Sequence, residues 1–392
     1  MVHFAPLRLR LIDPAWTNRV PSPAHDSLTP RQRMQHLAAF PDSYLAVTRS
    51  PEDSADGRLS LDEALREGRR ALDRLLEEEA FSEVRGDLFY VYRLEVDGWG
   101  QSGLVGGIHM DDYTTGSLRI HEAIYTDRAR YLAKHSDVVG AQSSPVTVSH
   151  HPDPVVAGIV QETMNGTPLI DFVMEDGLSQ TVWEVNPSHE LAIRNALADA
   201  SLYLIDGHHR TAAADLRHQA GASPWLLAAI FPTDQLKNTA FHRVCSEVDS
   251  LALWALRQLP GAKEGRIGDG VGTVQVHYQD QWLTIPHIPA QRPLERLDTW
   301  QFETMIRPHL GPDVIVKYQN AQGDEQNLLD QVTKDGDLLA LMTPVTMANL
   351  FAVADARDVM PPKSTYFEPK VRSGIFLRHL ESEDVTSEEP RP

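Results

Sequence analysis

The sequence predicts a mixed α/β protein, α+β in its outer parts, and three observations predict it. Leu88 to Val96 and Gln101 to Met110 are short apolar runs with strand-like alternation, joined through Gly98-Trp99-Gly100. Leu59 to Phe81 carries the 3.6-residue repeat of an amphipathic helix. Leu61, Ala64, Leu65, Ala71, Leu72, Leu75 and Leu76 share one face, with Glu and Arg on the other. Ser201 to Leu216 reads as strand, turn and helix in immediate succession.

The remaining elements follow the same logic. Residues 1 to about 50 are Pro-rich and irregular, with Val20 to Asp26 as a loop, and Thr29 with Pro30 opens a helix. Asp111 to Ser117 reads as a polar turn and Asp127 to Lys134 as a helix. Residues 155 to 185 read as two or three short strands turning at Asn165-Gly166 and Asp176-Gly177, with Trp183 in the core. Ser188 caps a helix to Ala200 whose inner face is Leu191, Ala192, Ala196 and Leu197. Trp225 to Phe231 is a buried strand.

The character changes near residue 247. Leu251 to Leu259 is helical, Val274 to Ile285 is a hairpin with Tyr278-Gln279-Asp280-Gln281 as its turn, and Leu297 to Ile306 is a helix. Leu338 to Met342 is a strand, and Val345 to Ala354 a helix. By composition Met360 to Lys370 is an exposed loop, and Glu381 to Pro392 is an acidic, disordered tail. The expected division is therefore 1–100, 101–246, 247–380 and the tail 381–392.

Charge and cysteine usage bound the function. Lys plus Arg is 36 against 55 Asp plus Glu, a formal charge of −19, which repels a nucleic-acid backbone overall. Cys245 is the single cysteine, so no intrachain disulfide forms and no oxidising compartment is implied. No run reaches the roughly 18 apolar residues of a membrane span. A cytoplasmic protein with no membrane or nucleic-acid partner is expected, and a homodimer is compatible with the sequence.

The chemistry concentrates at Asp206-Gly207-His208-His209-Arg210. Gly207 permits a backbone shape closed to other residues and lets a ligand approach the main chain. The following helix start presents free N–H groups and the positive end of a dipole, which suits phosphate. Arg210 adds a forked cation. Asp206, where the strand ends, is placed to hold Mg²⁺ through oxygen. The same pattern also serves as an ordinary strand-to-helix connection. His208 and His209 do not make a zinc pair, because helix neighbours point about 100° apart.

These five residues resemble the Asp-Gly-His-His-Arg signature of free serine kinases and of the wider ParB/sulfiredoxin-like superfamily. Arg119-Ile120-His121-Glu122, followed by Asp127-Arg128-Ala129, and Met360 to Lys370 further resemble the DUF1015 family, in that family's order. The resemblance implies a ParB/sulfiredoxin-like nucleotide-binding core with N-terminal and C-terminal elaborations. It implies a kinase that phosphorylates the hydroxyl of free L-serine or a similar small amino acid, using Mg²⁺ and either ATP or ADP. By carry-over Glu122 is the catalytic base, with Asp206 catalytic and metal-binding. Gly207, His208, His209, Arg210 and Thr211 bind the nucleotide phosphates. His121, Arg128, Lys363, Ser364 and Thr365 line the substrate side. Where the family carries Pro-Pro-Tyr-Asp, this chain has Ser22-Pro23-Ala24-His25-Asp26, without the tyrosine.

Other readings stay open. Glu122 also reads as an acid capping or pairing at a helix start. His242 and Arg243 either line a pocket or face water. A non-catalytic nucleotide-binding switch is the alternative function. A sulfiredoxin-like reductase ranks last, because it requires a reactive thiol beside the phosphate and Cys245 is remote from the turn in sequence.

Overall fold

The amphipathic repeat folds as a helix that is tighter than the pattern alone suggests. It runs Leu61–Glu77, because Ser60 and Glu63 form a reciprocal capping box and Glu78 closes its end. In the computed structural model, residues 1–54, 59–321 and 325–380 are described. Two compact units divide the chain. The first contains Met1–Arg119, Ile124–Leu236 and the segment from Pro369 onward; the second contains Ile120–Ala123 and Lys237–Glu368.

The first unit is built on a nine-stranded sheet. Its strands are β1 (Phe4–Ala5), β2 (Tyr90–Val96), β3 (Trp99–His109), β4 (Leu118–Arg119), β5 (Val146–His150), β6 (Ile170–Val173), β7 (Ser179–Glu184), β8 (Leu202–Asp206) and β9 (Trp225–Pro232). They lie in the order β6-β7-β2-β3-β9-β5-β8-β4, with β1 pairing β3. Most neighbours are antiparallel; β9 with β5 and β8 with β4 are parallel. Tyr90, Tyr92, Leu104, Val148, Leu204 and Phe231 are fully buried along these strands. Asp97 and Gly98, both at positive φ, make the tight turn between β2 and β3. The expected boundary at residue 100 thus falls inside one hairpin.

The helices of this unit are α1 (Pro30–Ala39), α2 (Leu61–Glu77), α3 (Met110–Thr115), α4 (Thr126–Val139), α5 (Pro154–Met164), α6 (Glu190–Ala198) and α7 (His208–Gln219). Three depart from the sequence reading. Asp111 to Ser117 is not a turn throughout, because the His109 ring accepts from the Asp111 N–H and opens α3, which Gly116 ends at φ 82°. Residues 154–164 are helical rather than a strand. The Asp153 carboxylate accepts from the N–H groups of Val155 and Val156, and Val156, Ile159 and Val160 are buried at helical spacing. The β-branched pair had imitated a strand. In α6 the inward residues are Ile193 and Leu197, while Leu191 faces solvent, and Asn186 caps the 3₁₀ turn at Pro187–His189.

The second unit carries a six-stranded antiparallel sheet. Its strands are β10 (Phe241–Ser246), β11 (Lys263–Glu264), β12 (Thr273–Tyr278), β13 (Gln281–Pro286), β14 (Ile315–Asn320) and β15 (Leu338–Leu341), ordered β11-β13-β12-β15-β10-β14. Beside them lie α8 (Ala252–Arg257), α9 (Asp298–Gln301), α10 (Glu325–Asp335) and α11 (Met347–Asp355). Cys245, Leu256, Phe302, Ile306, Leu310 and Leu338 share its core. The unit begins at Lys237, so β10 belongs here and the change of character precedes residue 247. β14 and α10 had no clear signal in the sequence. The expected tail, Glu381 to Pro392, lies outside the described residues. Among the described residues no helix is long and apolar enough to cross a membrane.

Candidate functional site

In the first unit, strand β8 delivers Asp206 to the start of α7. Its register against β5 shifts between Leu204 and Asp206, so Ile205 is an extra residue and the strand end is turned locally. Gly207 follows in the left-handed region, φ 99°, and α7 begins at His208. One left-handed glycine thus completes the turn from strand to helix. A Cβ on residue 207 would lie 2.7 Å from Val146 Cγ1 and 3.1 Å from Arg210 Cζ, so no other residue fits without displacement. Gly207 offers no side-chain cap to the first-turn N–H groups. Its carbonyl accepts from the Thr211 N–H at 2.9 Å and the Thr211 hydroxyl at 3.2 Å.

Asp206 lies between two cations. Lys370 Nζ donates to Oδ1 and Arg210 Nη2 to Oδ2, each at 2.7 Å. All three side chains are about one-fifth exposed. Burial raises the Asp206 carboxyl, but Lys370 and then Arg210 outweigh it and hold the group well below the usual carboxylate range. Arg210 is anchored on its other side too, since Nη1 donates to the carbonyls of Ser144 and Pro145 at 2.7 Å each.

The two histidines do different work. His208 is 3 % exposed, and burial pushes its ring down to about 3 against the opposing pull of Asp206, so it is neutral at physiological pH. His209 Nε2 accepts from the Tyr125 N–H at 3.1 Å, which puts the ring proton on Nδ1. Its ring stacks on Tyr125, 5.6 Å between centres and 7° between planes, and Tyr125 is mostly exposed. Arg128 on α4 covers the Tyr131 ring at 5.1 Å.

The other expected site residues belong to the second unit. His121 is fully buried and its carbonyl accepts from the Met360 N–H at 2.9 Å; Glu122 is half-buried. Lys363 adopts φ 54° and its ammonium sits 5.4 Å from the Phe241 ring centre. Ser364 is buried, donating to the Pro361 carbonyl at 2.7 Å and bonded to the Thr299 hydroxyl at 2.8 Å; Thr365 is also buried. Met360 to Lys370 is therefore not an exposed loop throughout, and Tyr366–Glu368 forms a short strand with Lys237–Thr239. Arg243 neither faces water nor stands open to a pocket. It is fully buried and donates to the carbonyls of Phe241, Pro362 and Lys363, holding that loop. The His242 ring accepts from the Met342 N–H.

Lys370 and Arg243 were missed as organising residues. A carboxylate at the end of a buried strand demands a cation, but spacing does not say which lysine supplies it. His25 and Asp26 were expected in a loop. The His25 ring lies 3.3 Å from the buried Asp53, which Arg33 Nε also meets at 2.7 Å, a contact that organises the N-terminal segment.

Asp206, the expected magnesium ligand, is doubly paired at the turn. Mg²⁺ requires oxygen ligands, and here a single carboxylate has a cation on each oxygen. Among the described residues no group of three or more His, Cys, Asp or Glu side chains has metal-holding geometry. Cys245 is fully buried, and burial pushes its thiol up to about 12. A thiol reagent at mildly alkaline pH is expected to leave it unlabelled in the native protein and to label it once denaturant unfolds the chain. Rapid native labelling would contradict that burial and revive the reductase reading.

A family model described as "Protein of unknown function (DUF1015)" matches residues 4–264. No curated protein matches the chain. Among solved structures, SbnI with a C-terminal truncation, from Staphylococcus aureus, is similar at TM-score 0.42 and 13% identity, covering 69% of this chain and 85% of that one. A free serine kinase in complex with AMP is similar at TM-score 0.40 and 13% identity, over 69% and 90%. A conserved hypothetical protein from Pyrococcus furiosus is similar at TM-score 0.38 and 14% identity, over 69% and 93%.

Proposed function

The chain belongs to the DUF1015 family, and from that premise we propose that it is a nucleotide-dependent phosphotransferase acting on the hydroxyl of free L-serine or a similar small amino acid. The observation that carries this reading is the turn at Gly207. A buried strand ends in a left-handed glycine whose missing side chain leaves the first N–H groups of α7 without a cap from that residue. Two cations meet one carboxylate beside it, so the cluster keeps one net positive charge. A helix start with no cap from Gly207, flanked by Arg210 and Lys370, favours the phosphates of ATP or ADP.

In this reading the Glu122 carboxylate takes the proton of the substrate hydroxyl. The hydroxyl oxygen bonds to the terminal phosphorus, and the bridging oxygen leaves with its electron pair on a nucleotide shorter by one phosphate. Main-chain amides and the nearby cations stabilise the transferring group. Asp206, paired with Lys370 and Arg210, orients those cations, and no step is routed through a metal.

The test is direct. The protein is mixed with ATP or with ADP, with and without added Mg²⁺, and with a panel of free amino acids, and phosphorus NMR follows the products. O-phosphoserine or a related phospho-amino acid is the expected result. The doubly paired state of Asp206 favours a second reading, a nucleotide-binding switch without turnover. Nucleotide binding with no phospho-amino acid from any hydroxyl substrate selects that reading. Failure to bind either nucleotide removes both.

A further inference from the structure

We propose that the outer face of the Tyr125 ring is where the base of the nucleotide stacks, so that the site takes a purine nucleotide in preference to an inorganic polyphosphate. The proposal rests on the nucleotide-binding reading above and extends it from the phosphates to the base.

Two segments of the first unit build this surface. The Tyr125 N–H donates to His209 Nε2 at 3.1 Å, and the two rings lie nearly parallel, 7° between planes and 5.6 Å between centres. That is the offset-stacked arrangement aromatic pairs prefer. His209 is the second residue of α7, so its main-chain N–H belongs to the helix start that receives phosphate in that reading. The ring stacked on its side chain is therefore a near neighbour of the phosphate position.

The stack is one-sided. Tyr125 is 59% exposed although one face of its ring lies on the imidazole. A tyrosine that only fastened the start of α4 to the start of α7 would be stabilised by burying the other face as well; this one leaves it in water. The bond from the Tyr125 N–H fixes the plane of the His209 ring, so the pair is in place before a ligand arrives. A flat ring laid on the open face extends the stack from two rings to three and buries apolar surface on both partners. Nucleobases have that shape, purines with more area than pyrimidines. Such stacking tolerates any base, because each presents a π-face and no edge is read. Adenine and guanine are therefore expected to serve alike, and a phosphate chain without a base gains nothing from Tyr125.

Tyr125→Ala, Tyr125→Leu and Tyr125→Phe are compared with the wild type in the full chain. Affinities for ADP, GDP, CDP and pyrophosphate are measured by calorimetry, with melting temperatures recorded alongside. Tyr125→Ala and Tyr125→Leu are expected to weaken ADP about tenfold or more and to leave pyrophosphate within about twofold, while Tyr125→Phe keeps most of the ADP affinity. In the wild type GDP is expected within about threefold of ADP, and CDP weaker than both. A tyrosine that serves only the frame would move ADP and pyrophosphate together, and that result overturns the proposal, as does an ADP affinity unchanged in Tyr125→Ala. Nitration of the wild type with tetranitromethane, followed by peptide mapping, gives a second readout that needs no variant. ADP is expected to shield Tyr125 and pyrophosphate to leave it reactive; equal nitration with and without saturating ADP overturns the proposal. ADP binding that ignores Tyr125 defeats only this inference, whereas wild type that binds no nucleotide defeats the reading beneath it as well.

Discussion

Asp206→Asn is expected to cost the fold about 3 kcal/mol, the lower end of the range for removing one partner of a buried ion pair. The lower end applies because the side chain keeps about one-fifth of its exposure. Asparagine matches the shape but removes the charge, so Lys370 and Arg210 face each other across a neutral amide. The penalty is read as a lower denaturant midpoint at unchanged slope. Removing Lys370 in the same chain should recover part of it, since the remaining cation then has less to repel. The pH dependence has a definite sign. Burial works to raise the Asp206 carboxyl, but Lys370 and Arg210 prevail and its folded value is depressed. Its contribution is therefore complete above the unfolded value, about 4, and is lost as pH falls below that. Wild-type stability should drop on acidification below about pH 4, and the Asn variant should drop less steeply. Some slope must survive in the variant. The Asp53 carboxyl is also depressed, its burial outweighed by His25, Ser50 and Arg33. A midpoint shift worth less than about 1 kcal/mol would mean the two cations do not depend on this carboxylate.

The same cluster marks the limit of what the residues disclose on their own. The strand and helix around Gly207 were legible, because a short continuous apolar run ends before Asp206 and an Ala-rich helical stretch follows. The need for glycine was legible too, although the collision that enforces it, with Val146, lies across the sheet. The partner of Asp206 was not. Lys370 reaches it through tertiary structure, and local pattern carries no information about contacts 164 residues apart. The helix α5 failed for a different reason. Val155 and Val156 favour strands, yet the Asp153 cap and an inward face of Val156, Ile159 and Val160 decide the outcome. Burial likewise departs from both open readings of Arg243, and from the exposed-loop reading of the stretch that holds Ser364. Polar residues in a Pro-rich stretch suggest an exposed loop, whereas here they satisfy carbonyls and a hydroxyl inside the second unit.

Glu122→Gln carries the largest expected effect on activity, because proton abstraction by a positioned base is commonly worth 10² to 10⁴ in rate, about 3–5 kcal/mol. The competing account made Glu122 a helix-start residue, and the helix itself weakens that account. α4 begins at Thr126, its cap position is Tyr125, which makes no side-chain capping bond, and its first-turn acid is Asp127. Glu122 is thus four positions short of the helix in sequence. Glutamine keeps the size and the hydrogen-bonding oxygen and removes only the ability to accept a proton. The turnover number for phospho-amino acid formation should therefore fall by about a hundredfold or more, while nucleotide affinity stays within about threefold of wild type. Glu122→Asp should recover part of the loss, because a carboxylate returns at a shorter reach. A variant that loses binding and turnover together would assign Glu122 to the frame of the protein. Turnover within about threefold of wild type would remove it as the base and leave a phosphate-binding turn that needs no proton acceptor.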